Sequence, residues 1–205
     1  MITGMGRKNG PRPVPLRYEK FSIELQANHT WTAQPGCKVF VADRGAVKFD
    51  VPRTWIVRPD SDSIKFRDRK PPKDNCVLAF SYLRIPAIDW SELPLYVLIQ
   101  EVTKGNDRPD TGGRIRHMDE WGEIVQGCRF GVEYAWRQGR YIDPKEKRPA
   151  LSRICIARRR TVQALLTMDF WEQYLERFGR VWDLVLETLE LDEPIVDPSI
   201  GPRLM

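Results

Sequence analysis

The chain has 205 residues, of which 41% are hydrophobic and 30% charged, with a formal net charge of +5. That length suits one generous domain with a real core, and the composition excludes a disordered chain. No apolar run approaches the ~20 residues of a membrane span, and the basic N-terminus lacks the apolar stretch of a secretory signal, so a cytoplasmic protein is expected.

Residues 1–20 carry Arg7, Lys8, Arg12, Arg17 and Lys20 among Gly and Pro without periodicity, and read as a basic flexible arm. Strands are expected at 21–25, 37–42, 46–51, 54–58 and 63–67, separated by Pro35-Gly36, Arg44-Gly45, Pro52 and Pro59-Asp60. Val47, Phe49 and Val51 alternate with Lys48 and Asp50, which gives a strand with one apolar face. Pro52 ends it, having no N–H to donate. The run from Cys76 to Ile85 is apolar on both faces and belongs in the middle of a sheet.

Ser91 reads as the N-cap of a helix over 92–104, with Leu95, Leu98, Ile99 and Val102 at helical spacing and Gly105 as its stop. Residues 105–117 read as the most flexible internal loop. Alternation returns at Cys128, Phe130, Val132, Tyr134 and Trp136, which share one buried face. Strands at 151–158 and 161–168 follow. Asp169, with Glu172 three residues on, reads as the cap of one helix over 171–189. Its stripe is Trp171, Tyr174, Leu175, Phe178, Trp182, Val185, Leu186 and Leu189. Residues 21–191 thus form a single α+β domain, followed by an extended tail over 192–205.

The four cysteines form no C-x-x-C and fall mostly in strand-like runs, so free thiols are expected, with Cys128 and Cys155 buried. Neither His29 nor His117 has a second ligand at metal spacing, so no metal or other cofactor is expected.

The segment GAVKFDVPRTW, with its Phe-x-hydrophobic-Pro-x-x-Trp pattern, resembles the opening of PsbP-like domains, and LLTMDFWEQYLERFGRVWDLVLETLEL is similar to their last strand and terminal helix. The resemblance spans about residues 37–191. It implies a bacterial member, of unknown role, of the PsbP-like and Ran-binding Mog-like family. The implied fold is a central antiparallel sheet with helices packed on both faces. It carries no functional residues over.

No glycine-rich phosphate cradle and no nucleophile elbow is present. One cluster combines residue types that could bind an anion or move a proton: Arg114, Arg116, His117, Asp119 and Glu120, beside Gly112-Gly113. Arg158, Arg159 and Arg160 form a basic triplet, but the aromatics lie on buried faces instead of alternating with it, so nucleic acid is not the expected partner. Two readings remain. The first is a non-enzymatic protein-binding or assembly module, monomer or homodimer, that does not engage a membrane. The second is a small-molecule or anion-binding domain, with catalysis left open, at the Arg114–Glu120 cluster.

Overall fold

Period-2 alternation decides most of this chain. The structure, a computed structural model, describes residues 24–60, 62–104, 107–109 and 115–202. Its elements in order are β1 (Cys37–Ala42), β2 (Val47–Pro52), β3 (Ile56–Pro59), β4 (Ile64–Arg67), β5 (Cys76–Arg84), α1 (Leu95–Val102), β6 (Asp107–Pro109), β7 (Ile115–Trp121), β8 (Val125–Arg129), β9 (Val132–Ile142), β10 (Pro149–Arg159), β11 (Val162–Trp171), α2 (Leu175–Thr188) and β12 (Glu190–Leu191). The recorded strand pairings are antiparallel. A small sheet runs β1-β2-β12. The large one runs β3-β4-β5-β11-β10-β9-β7-β6, with β8 also on β9. The fold is therefore dominated by antiparallel sheet, with two short helices among the described residues.

β10 is buried at every position from Ala150 to Arg158, as a strand with two neighbours and two covered faces must be. Leu151, Cys155 and Ala157 join the main core with Phe178, Trp182, Val185 and Leu186 of α2. Ile154 and Ile156 instead meet Leu95 and Ile99 of α1. The small sheet closes on the large one through Phe40, Phe49, Phe66 and Phe80. Phe40 and Phe66 meet edge-on at 4.8 Å, a geometry worth about 0.5–1.5 kcal/mol beyond the area buried.

Inside that core lies one cation. The Arg153 guanidinium sits 5.1 Å from the Trp136 ring, 5.8 Å from Phe170 and 5.9 Å from Trp182. Its Nε donates to Gln138 Oε1 at 2.9 Å, and burial holds its pKa below the ordinary range. Gly179 of α2 leaves it room: a Cβ there would stand 3.6 Å from Nη2.

The elements differ from expectation in several places, each with a local cause. The helix over 171–189 starts late. Alternation continues to Trp171, which pairs with Ala150, so Asp169 lies within β11 and caps nothing. A 3₁₀ turn at Glu172–Tyr174 then leads into α2, and Leu175 is exposed. The helix over 92–104 is also shorter. Leu93 precedes Pro94 and is thereby biased away from helix. The Ser91 amide donates to Asp89 Oδ1 at 2.9 Å in a turn, and α1 begins at Leu95.

The run from Cys128 to Trp136 is two strands joined at Phe130-Gly131. Pairing Arg129 with Val132 sets Cys128 opposite Glu133, off the face of Tyr134 and Trp136, and Cys128 is exposed. The 105–117 segment contains a strand pair, with Pro109 opposite Ile115 and Asp107 opposite His117. Gly105, Gly112 and Gly113 lie outside the described residues, as do 21–23, while Glu24 and Leu25 are not in a strand. The segment after β12 is pinned: Trp31 Nε1 donates to the Pro198 carbonyl at 2.8 Å, and Ile195 is buried.

All four thiols are free. Burial raises the pKa of Cys37, Cys76 and Cys155. One thiol in four, that of Cys128, should therefore react promptly with a chromogenic disulfide at neutral pH. The other three should react only as the chain unfolds. Prompt reaction of two or more would contradict the packing of β1, β5 and β10.

Candidate functional site

Of the cluster read from sequence, Arg114 lies outside the described residues. Arg116 and His117 stand in β7, where the backbone alone is described. Asp119 and Glu120 follow in the same strand, and a register shift there brings Glu120 opposite Arg140 of β9. Arg140 is already engaged. Its Nε and Nη2 donate to the two oxygens of Glu172 at 3.0 and 3.2 Å, and Nη1 lies 3.5 Å from Asp119. The bond to Glu172 raises the Arg140 pKa. Beside it lies a shallow depression of about 230 Å³ between Glu120, Gln138, Leu151 and Leu175. Among the described side chains, three carboxylates stand around one guanidinium and make this corner acidic.

The basic triplet is dispersed by strand alternation. Arg158 is buried, stacked 5.6 Å over Trp90 and donating to the Leu93 carbonyl at 3.2 Å. Arg159 donates to the Leu191 carbonyl at 2.9 Å and pairs with Glu193. Arg160 remains exposed at the turn between β10 and β11.

That turn belongs to a second site, at the end of the large sheet, which the sequence reading missed. Two tight hairpins meet there. The β8–β9 loop is Phe130-Gly131 and the β10–β11 loop is Arg160-Thr161, closed by Arg129 opposite Val132 and Arg159 opposite Val162. Two-residue hairpin loops demand positive φ, which Asn and Gly supply cheaply. Here Phe130 adopts φ 51° and Arg160 φ 47°. Alongside, Asp43, Arg44 and Gly45 are left-handed in succession, and Asp192 has φ 53°. Five of the six non-glycine residues with positive φ among the described residues gather here, Lys147 being the other.

Charge knits the end together. Arg84 bridges Asp192 at 3.0 Å and Asp43 at 3.5 Å, and the Tyr82 hydroxyl donates to Asp43 at 3.0 Å. The Thr161 amide and hydroxyl donate to Asp192 at 3.1 and 2.8 Å. A depression of about 260 Å³ opens between Arg44, Arg84, Asp192 and Pro194. Outside this network stand Phe130, 62% exposed, with the Arg129 guanidinium 5.2 Å from its ring, and Arg44, which makes no ion pair among the described residues.

Burial opposes ionisation of Asp192, but Thr161 and Arg84 outweigh it and hold its pKa below the ordinary value. A depressed carboxylate stabilises the fold above its unfolded pKa of ~3.9 and loses that contribution as pH falls through the folded value. Asp192→Asn, which tolerates the left-handed backbone, should cost about 1 kcal/mol at pH 7. The difference from wild type should shrink as pH falls below the unfolded value of ~3.9, as the carboxylate takes up its proton. Urea unfolding at neutral pH and below that value checks this, and an equal cost at both would disprove it.

A family model described as Alr1449 matches residues 38–195. The uncharacterized protein alr1449 of Nostoc sp. (strain PCC 7120) is 40% identical over 187 residues, 91% of this chain and 93% of that protein. Among solved structures, cyanobacterial PsbP (CyanoP) from Synechocystis sp. PCC 6803 aligns at a TM-score of 0.54 and 14% identity, over 78% of this chain and 95% of that one. The Ran-binding protein Mog1p of Saccharomyces cerevisiae aligns at 0.46 and 10% identity, over 80% and 98%. The fold is PsbP-like, as the two end motifs imply.

Proposed function

The chain belongs to the Alr1449 family, and from that footing we propose that it is a non-enzymatic module that holds a protein partner. The observation that carries this is the end of the large sheet. Backbone in sparsely populated φ persists only where its surroundings impose it, and it gathers at clamps and recognition sites. Here it holds out an exposed Phe130 among arginines, the residue types enriched at interface anchors. Asp192 is held ionised, so it serves as an acceptor and not as a proton shuttle.

The free thiols support a reducing, cytoplasmic setting, with the chain a monomer or homodimer. A sheet flanked by a helix on either face is supported by Ile154 and Ile156 facing α1 while Cys155 and Ala157 join the α2 core. The test is affinity capture of the full chain in source-organism lysate, with untagged chain as competitor. The expected result is one protein retained near stoichiometry and released by the competitor. Retention of nothing above control would overturn the reading.

A second reading places a small molecule at Arg114, Arg116, His117, Asp119 and Glu120. It is favoured by the depression beside Glu120 and Arg140. The acidic surroundings suit a cationic or hydroxyl-rich ligand better than an anion. A thermal-shift screen with polyols, amines and phosphates discriminates among these. A stabiliser that still acts on Glu120→Gln would remove the site.

A further inference from the structure

We infer that the β8–β9 tip is the anchor of that interface, and that its partner is a protein surface offering an apolar pocket rimmed by carboxylates. The inference rests on the binding reading and names its surface and chemistry. Phe130 is the decisive residue. The first position of a Phe-Gly loop at φ 51° is one that Asn or Gly would occupy with less strain. The ring covers no core, being 62% exposed. Its local cost is thus not repaid within the chain. Association that buries the ring would repay it.

Charge selects the partner. Arg129 stacks on Phe130, 5.2 Å from the ring centroid. The neighbouring hairpin is close, since a Cβ on Gly131 would stand 3.2 Å from Arg159 Nε. Arg44, with no ion pair among the described residues, extends the positive surface, and the exposed Arg160 stands beside it with its guanidinium 4.0 Å from Glu193. An acidic rim complements these arginines, while an anionic bilayer would also meet Asp43, Asp192 and Glu193 in the same patch and be repelled. A folded protein can match both signs, and a lipid surface cannot.

The test is a photo-crosslinker, p-benzoyl-phenylalanine, placed in the full chain at position 130 and, in separate chains, at 119 and 165. Position 165 reports the exposed Leu165 on β11. The expected result is crosslinking from 130 to another protein, at a peptide rich in Asp and Glu, with yield falling at least fivefold in Arg129→Glu/Arg160→Glu or in 0.5 M salt. Crosslinks from 119 or 165 but not 130 would overturn this surface and leave the binding reading standing. Silence at all three positions would overturn both. Crosslinking to a second copy, or co-sedimentation of the chain with phosphatidylserine vesicles that Phe130→Ser abolishes, would overturn the acidic protein partner. Phe130→Asn separates function from fold: its unfolding midpoint should equal or exceed that of wild type. A lowered midpoint would show that Phe130 serves the fold, and would overturn the inference.

Discussion

Trp182→Ala is expected to cost about 3–5 kcal/mol in urea unfolding, a large share of the roughly 5–15 kcal/mol that holds a domain together. The ring is fully buried and meets Trp136 edge-on at 5.7 Å. Removing it leaves a cavity that β9, β10 and β11 cannot close, since each is fixed in register by strands on both sides. One effect works the other way. The cavity would open beside the Arg153 guanidinium, whose Nη1 has no hydrogen-bond partner, and water entering there would solvate a buried cation. The cost should therefore fall toward the lower end of that range. Trp182→Phe keeps a ring and removes an Nε1–H that is itself unpartnered, so it should cost less than half as much. A loss below about 1 kcal/mol for the alanine variant would mean that α2 does not seat this ring on the sheet.

The parts of the fold legible in sequence were those where a single period governs. β2 shows its alternation in Val47, Phe49 and Val51, and β5 takes the interior place that its apolar run implies, between β4 and β11, with Cys76, Leu78 and Phe80 buried on one face and Val77 and Ala79 half-buried on the other. Boundaries were lost where two periods overlap. Trp171, Tyr174, Leu175 and Phe178 satisfy helical spacing, yet Met168, Phe170 and Trp171 also extend the strand pattern, and cross-strand pairing with Ala150 decided between them. Cys128 was misplaced for a related reason. Alternation counted through Phe130 assumes one strand, whereas a two-residue hairpin there changes which residues share a face.

The candidate site was the least legible part, because its geometry arises from five separated segments. Residues 43–45, 82–84, 129–131, 159–161 and 192–193 carry ordinary charged residues, and each alone reads as a turn or a strand end. Only the two-sheet topology brings them to one end. A usable signal did exist in the chemistry of the turns. Phe-Gly and Arg-Thr occupy hairpin loops that favour Asn-Gly, and a local rule broken without local compensation marks a functional position. Seeing that required knowing the hairpins were tight. The acidic C-terminal segment is tied in by the same topology, which sets Glu190 on Lys48, Asp192 on Arg84 and Glu193 on Arg159.

The strained end depends on one close approach, and a pair of glycines isolates it. Gly36 and Gly45 both have positive φ, 77° and 96°, so alanine at either position pays a left-handed backbone cost of about 1–2 kcal/mol. Around Gly36 an added Cβ would meet nothing within 4 Å. At Gly45 it would lie 1.9 Å from the Glu193 carbonyl oxygen, a backbone atom that cannot swing aside. To make room, 192–195 must leave residues 44–46. That breaks the bonds from the Asp192 amide to Ala46 (3.0 Å), from Glu193 to Gly45 (3.0 Å) and from Ile195 to Arg44 (2.8 Å). At about 0.5–1.5 kcal/mol for each bond, Gly45→Ala should cost about 3–6 kcal/mol in all, against 1–2 for Gly36→Ala. Amide exchange should show residues 192–195 losing protection in the Gly45 variant alone. Asp192 and Glu193 would leave with that segment, so Arg84 and Arg159 would lose carboxylate partners and the charge balance of the patch would turn more basic. If the two substitutions cost the same, the segment after β12 does not pass Gly45 at this distance, and the network joining Asp43, Arg84 and Asp192 has no scaffold.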